Sequence, residues 1–200
     1  GLQQVGANCG AVSPNCVVDV NGVTFWMSQT AFYTFDGAIK KLACSVQDFV
    51  FDDIDGVAQG QVAAAVNTDF NEVTWFYPSK NSTFLNRAVT YNYLENIWYN
   101  NTGFARTAWI DRGVYNNPYA PNYEPTALPN NETIMGVTAG SSVLYAHEVG
   151  KDDDGSAMPC QITSGDFDIQ DGEQVLLCSR VIPDFKELIG TNNFKITFAN

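Results

Sequence analysis

The sequence predicts an all-β fold made of short antiparallel strands. Alternating apolar and polar residues, enriched in Val, Thr, Tyr, Phe and Trp, recur in short runs with the period of half-buried strands. Tight-turn pairs separate them, and Asn21-Gly22 is the strongest of the short hairpin signals. An aromatic pair also returns, Phe25-Trp26 and then Trp75-Phe76. The 49 residues from Trp26 to Trp75 match the ~40–50-residue period of four-stranded propeller blades. The expected architecture is therefore a set of two to three antiparallel β-propeller blades over residues 1–150. The start of a second, β-sandwich-like module is expected over residues 151–200.

The first unit occupies residues 17–42. Strands are expected at 17–20, 23–27, 31–35 and 38–42, joined by Asn21-Gly22, Ser28-Gln29-Thr30 and Asp36-Gly37. Four strands and three turns in 26 residues leave no room for a crossover helix, so neighbouring strands must be antiparallel. A second unit repeats the order: strands at 61–66, 72–77, 87–93 and 97–99, with a longer loop at 78–83. Helix signals are scarce. The best window, 56–66, contains Ala63-Ala64-Ala65 but also Gly60, and it ends in Val66-Asn67-Thr68-Asp69.

A third, weaker unit starts at residues 105–110, is interrupted over 115–129, and resumes at 134–138 and 143–148. Three Tyr and four Pro in the interruption favour extended, surface-lying chain, an interaction loop more than a linker. Beyond the charged turn at 150–155, strands at 161–169, 174–182 and 194–198 lack the aromatic pairs, which puts the module boundary near 150–158. Two and a half blades cannot close a ring, and blades need neighbours to bury their aromatic faces. More blades outside this chain, or other subunits, are expected to complete it, unless the repeat is a sandwich. The opening at Gly1, without a methionine or a charged-then-apolar leader, suggests an internal piece of something longer.

Composition narrows the function. Apolar residues make up 45% of the 200, as in a globular chain, and charged residues only 16%. Ten Lys and Arg against 22 Asp and Glu give a net charge of −12. Such a chain is a poor wrapper for phosphate backbones or anionic membrane surfaces, because both need Lys and Arg. No stretch approaches the ~20 apolar residues of a membrane-spanning helix. Nineteen Asn supply polar surface and point to many turns, since Asn tolerates left-handed backbone. Three Asn-x-Thr acceptor patterns, at Asn81, Asn100 and Asn131, are what chance produces in so Asn-rich a chain. The five cysteines, Cys9, Cys16, Cys44, Cys160 and Cys178, include no Cys-x-x-Cys. Cys9 and Cys16 could pair across a loop, but reduced thiols are the simpler reading. Cys44 and Cys178 read as small buried hydrophobes.

Few residues offer chemistry. His147 is the sole histidine, with no nucleophile elbow near it and no second histidine for a helical zinc site. It reads as a strand-end side chain with its hydrogen bonds met. The acidic runs at 52–56, 152–155 and 166–173 read as solvated turns. The last resembles a calcium loop with Asp171-Gly172 one place late. Asp19 and Glu72 are the carboxylates that could face a central channel, where propeller glycosidases keep theirs. Tyr115, Tyr119 and Tyr123 could stack on sugar rings or pack on a neighbour, and Pro118, Pro121 and Pro125 forbid a regular helix beneath them. No catalytic, cofactor-binding or metal-binding residue is assigned on these grounds.

An ordered series of segments resembles blades of phage tail hub or nozzle proteins. It begins with residues 25–39, from Phe25-Trp26-Met27 through Phe35-Asp36-Gly37, continued by residues 46–51. It runs on through 70–78, 89–99 and 106–111, then Tyr145-Ala146-His147-Glu148-Val149-Gly150, residues 164–169 and residues 181–185. The likeness covers about residues 17–190 and matches the later part of chains several times longer. It implies a virion structural protein of a short-tailed phage, assembled in the host cytoplasm and residing in the tail. Its expected partners are copies of itself in a ring, taken as a hexamer, together with portal-adaptor and tail fibre proteins. Genome DNA would pass through the ring without specific binding, helped by acidic walls that repel phosphate. The resemblance implies no active site and no cofactor, and neither does it involve a membrane. The alternative is a glycan-binding or glycan-cleaving β-propeller.

Overall fold

The computed structural model describes residues 4–102, 104, 106–111, 119–124, 141–148, 180 and 182, with 119–124 and 141–145 as backbone alone. Contacts divide the chain into two units, Gly1–Lys151 and Asp152–Asn200. All described residues but Arg180 and Ile182 lie in the first. The described region is all-β, with two antiparallel four-stranded sheets in tandem.

The first sheet is a meander of β1 (Val17–Val20), β2 (Val23–Met27), β3 (Phe32–Phe35) and β4 (Ile39–Leu42), in that spatial order. Asn21 and Gly22 both take left-handed backbone, φ 53° and 81°, as a two-residue hairpin with right-twisted strands requires. Asp19 seals this turn by accepting from the Gly22 amide at 3.2 Å and the Thr24 hydroxyl at 3.3 Å. The second sheet repeats the order with β5 (Ala63–Asn67), β6 (Glu72–Tyr77), β7 (Arg87–Asn92) and β8 (Ile97–Asn101). Its turns use Asn71 and Asn96, at φ 57° and 58°. The Asn-rich composition thus has a structural use, since Asn makes up five of the six non-glycine residues with positive φ among those described.

Strand alternation gives each sheet two faces, and one pair of faces meets. Phe25, Met27 and Phe32 of the first sheet pack against Val73, Trp75, Val89, Tyr91 and Trp98 of the second in a single buried cluster. Phe32 packs against both indoles, Trp75 and Trp98, with ring centroids 4.9 and 4.7 Å away, while the two indoles stack on each other at 6.0 Å. Trp98 in turn stacks on Tyr91 at 4.6 Å. The leading strands β1 and β5 lie side by side, tied by the Ala64 amide donating to the Asn15 carbonyl at 2.8 Å. The far face of the second sheet carries a smaller cluster, Ala63, Ala65, Phe76, Leu85 and Ala88, onto which Phe104 and Trp109 fold.

All four tryptophans of the chain donate their indole N–H to a backbone carbonyl. The pairs are Trp26 to Cys9 (2.6 Å), Trp75 to Cys16 (2.9 Å), Trp98 to Ala43 (2.8 Å) and Trp109 to Val66 (2.7 Å). Trp26 and Trp75 each lie on the second strand of their sheet, and Trp75 bonds to the residue just before β1 of the first sheet.

Several expectations are corrected here. A helix not expected from the sequence, α1 (Gln47–Asp53), joins the sheets. Its Val50, with Val46 and Ile54 one turn either side, joins the shared core along with Phe51, an i, i+4, i+8 stripe. The acidic run at 52–56 is therefore only partly a turn: Asp52 and Asp53 end the helix, while Asp55 accepts from the Val57 and Ala58 amides at 2.9 Å. The 56–66 window holds a single 3-10 turn over Gln59–Gln61 and then β5.

Residues 106–111 form no strand, and only Ile110 makes a lone bridge. Phe104 and Trp109 are an odd number of positions apart, so a regular strand would send them to opposite faces; both pack on the same sheet. Within the interruption expected to be loop, β9 (Tyr119–Glu124) pairs antiparallel with β10 (Ser141–Ala146), Tyr119 opposite Ala146 and Glu124 opposite Ser141. The rest of that interruption, residues 134–138 and, apart from Arg180 and Ile182, the strands and acidic turns expected after 150 lie outside the described residues, as do Cys160 and Cys178. Cys9, Cys16 and Cys44 are free thiols, so the Cys9–Cys16 pairing is not made. Cys16 is fully buried, and its thiol donates toward the Ser13 carbonyl at 3.1 Å and the Met27 carbonyl at 3.2 Å.

Candidate functional site

Alternation divides the far face of the second sheet into an apolar half and a polar half. Cross-strand pairing sets Ala63, Phe76, Ala88 and Asn101 in one row, Ala65, Thr74, Thr90 and Tyr99 in the next, and Asn67, Glu72, Asn92 and Ile97 in a third. Phe104 and Trp109 cover the apolar row. Over the polar rows the covering segment stands off and leaves a cavity of about 230 Å³, closed on its other side by His147 and Glu148 just after β10.

The wall over residues 104–111 is held in place at several points. Besides the Trp109 indole bond to Val66, the Thr68 amide and hydroxyl both donate to Asp111 Oδ2, at 3.3 and 2.7 Å. Arg106 Nε donates to His147 Nε2 at 3.0 Å, and its guanidinium lies 4.8 Å above the Phe104 ring. The imidazole also packs on Trp109 with centroids 4.7 Å apart. Burial, and then the Arg106 charge, push the His147 pKa down to about 4. The ring is therefore neutral at pH 7 and uses Nε2 as an acceptor.

The floor is a chain of hydroxyls ending on a carboxylate. Thr74 and Thr90 share a hydrogen bond of 2.8 Å, Thr90 lies beside the Tyr99 oxygen, and the Tyr99 hydroxyl donates to Glu72 Oε1. Burial raises the Glu72 pKa, the Tyr99 hydrogen bond offsets part of that rise, and the Glu148 charge adds to it. Burial and the hydrogen bond to Glu72 push the Tyr99 phenol well above its usual range, so it stays a donor. Asn67 donates through Nδ2 to Glu148 Oε1 at 3.1 Å, while its Oδ1 is buried with no partner. Glu148 itself sits at φ 59°, the one described non-glycine residue other than Asn in left-handed backbone, a conformation that costs about 1 kcal/mol or more.

Glu72 and His147, both singled out in the sequence, are thus brought into one cavity, 75 positions apart. His147 follows a strand end with its side chain bonded, as expected. Asp19 lies elsewhere, on β1, where its carboxylate seals the β1–β2 turn. Tyr119 and Tyr123 are on β9, and Tyr115 lies outside the described residues. Asn67, Tyr99, Trp109 and Glu148 were not foreseen. Asn67 reads as a turn residue and Tyr99 as one more strand aromatic, and nothing local signals that they meet.

A larger groove of about 590 Å³ lies between residues 4–11 and the outward face of the first sheet, around Val17, Trp26, Phe35 and Ile39. Its lining has no carboxylate, imidazole or basic side chain. Among the described residues no group of three or more His, Cys, Asp or Glu could hold a metal ion, and no helix is long and apolar enough to cross a membrane. No protein-family model and no curated protein sequence matches the chain.

Proposed function

We propose that the chain is a virion structural protein, a subunit of the tail nozzle or hub ring of a short-tailed phage. In this reading the two sheets are consecutive blades of a β-propeller, and the ring extends the channel through which DNA leaves. Adaptor and fibre proteins meet its loops. One observation carries the reading beyond the resemblance: the two four-stranded meanders pack face against face with their leading strands adjacent. Stacked blades around an axis share that relation. The way Phe104 and Trp109 cover the far face of the second sheet fits a further unit following in series. A chain of net charge −12 suits a conduit that DNA crosses without adhering.

Native mass spectrometry of the purified chain tests this. A discrete ring, six-fold or a multiple of it, or copurification with capsids is the expected outcome. A stable monomer that never associates with tail components would overturn the assignment. The glycan-binding or glycan-cleaving alternative rests on a different observation, that Glu72 and Glu148 line one cavity, since glycoside chemistry needs two carboxylates across a pocket.

A further inference from the structure

The chain carries 19 Asn but a single Asn-Gly pair, Asn21-Gly22, and that pair is the exposed tip of the β1–β2 hairpin. Glycine puts no side chain beside its amide nitrogen, so the nitrogen can reach the side-chain carbonyl before it. Among the described residues no other segment crowds Gly22, since a Cβ there would meet nothing within 4 Å. The reaction open to such a pair has two steps. The Gly22 nitrogen gives up its proton and bonds to Asn21 Cγ, the Cγ–Nδ2 bond breaks, and ammonia leaves with that proton, closing a five-membered imide. Water then opens the imide. Cleavage between the Gly22 nitrogen and the Asn21 main-chain carbonyl carbon leaves isoaspartate; cleavage of the new bond leaves aspartate. Nothing is oxidised or reduced, and water is the only co-reactant.

Two features of the folded turn oppose the first step. Ring closure needs the Gly22 nitrogen and Asn21 Cβ eclipsed about the Asn21 Cα–C bond. The φ values of 53° and 81° at the two residues are those of a type I′ turn, which sets these atoms nearly opposite one another. The Gly22 N–H is also donated to Asp19 Oδ1 at 3.2 Å, and the Thr24 hydroxyl holds the other carboxylate oxygen at 3.3 Å. A carboxylate that accepts from an N–H keeps the proton on nitrogen, and it is too weak a base to remove it. We infer that Asn21-Gly22 is a site of spontaneous conversion to isoaspartate, latched by Asp19 and released when the β1–β2 turn opens. Isoaspartate adds one carbon to the main chain inside a two-residue turn, so Val20 and Val23 no longer pair across it, and it sets a second carboxylate close to Asp19. The hairpin that presents Phe25 and Met27 to the shared core is thereby weakened. The inference stands whether or not the chain belongs to a phage tail.

The test is incubation of the full chain at mildly alkaline pH, folded and in concentrated urea, followed by digestion and peptide mass spectrometry. Isoaspartyl and aspartyl products share one mass and elute separately. Asn21 should convert ahead of every other Asn, mainly to isoaspartate, and faster in urea than in the folded chain. Asp19→Ala should speed conversion in the folded chain by about fivefold, the effect of removing one hydrogen bond from the closed turn, and leave the rate in urea unchanged. Thr24→Val, which keeps the Asp19–Gly22 bond, should convert at nearly the wild-type rate. Circular dichroism checks that both variants fold; if Asp19→Ala does not, the ratio of wild-type rates in urea and in the folded state still decides. Conversion as fast in the folded chain as in urea, another Asn reacting first, or a rate unchanged or slowed in folded Asp19→Ala would each overturn the assignment, the last by making the carboxylate a base instead of a latch.

Discussion

His147 is the only histidine of the chain, so its imidazole gives one resolved proton signal whose pH titration can be followed directly. Its folded pKa, about 4, lies below the ordinary 6.5 because the ring is buried against Trp109 and faces Arg106. Folding therefore favours the neutral ring. The stabilisation is fully present above pH 6.5 and is lost as pH falls through 4, where the folded form must also take up the proton. The expected NMR midpoint is near 4; a midpoint at 6.5 would show that the wall over residues 104–111 does not cover the ring. That His147 is a bonded strand-end side chain was legible from its position and the lack of any partner motif. Its place beside Glu72 was not. The cavity draws on β5 to β8, on the segment around Trp109 and on residues 147–148, and alternation shows that a strand has two faces without telling which face another segment will roof.

At the scale of elements, the hairpins were the legible part. All eight strands of the two sheets fall within a residue or two of the runs picked out by alternation and turn pairs, because each is local: a strand, a turn that must be left-handed, a strand. Gly22 shows the cost of disturbing such a turn. A Cβ there would meet nothing within 4 Å, yet φ is +81°. Gly22→Ala should therefore lose about 1 kcal/mol through backbone conformation alone, read as a lowered urea midpoint with unchanged slope. The helix Gln47–Asp53 escaped notice because it is short, and its apolar stripe of Val46, Val50 and Ile54 is diluted by acidic residues and built from β-branched side chains of low helix propensity. Packing against the joint core, not intrinsic preference, makes it helical. The strand β9 was hidden for the opposite reason. Pro118, Pro121 and Pro125 among tyrosines and asparagines suggest loop, and pairing with a strand some twenty residues later is a non-local event.

For the described region as a whole, the two sheets share one core, and Phe32 is its pivot. It is fully buried and touches Phe51 of the helix as well as Trp75 and Trp98 of the second sheet. Phe32→Ala should cost about 3–5 kcal/mol and unfold both sheets together, giving one cooperative loss of far-ultraviolet circular dichroism at a lower urea concentration. Two separated transitions would mean that the sheets are independently stable, which a pair of stacked blades is not expected to be. The same sharing bears on assembly. The inner faces are satisfied by one another, so what is left for partners is the loop ends and the groove between residues 4–11 and the outward face of the first sheet, where Val17 is exposed.

The tryptophan bonds have a practical consequence. Trp26, Trp75 and Trp98 are each at least nine-tenths shielded from solvent, and all four indoles are hydrogen-bonded to the main chain of another segment. Trp75 and Trp98 reach from the second sheet to the main chain at Cys16 and Ala43, beside the first, so these two indoles lose their surroundings once the sheets part. The intrinsic fluorescence of this protein is thus a built-in gauge of tertiary packing, sensitive to separation of the layers.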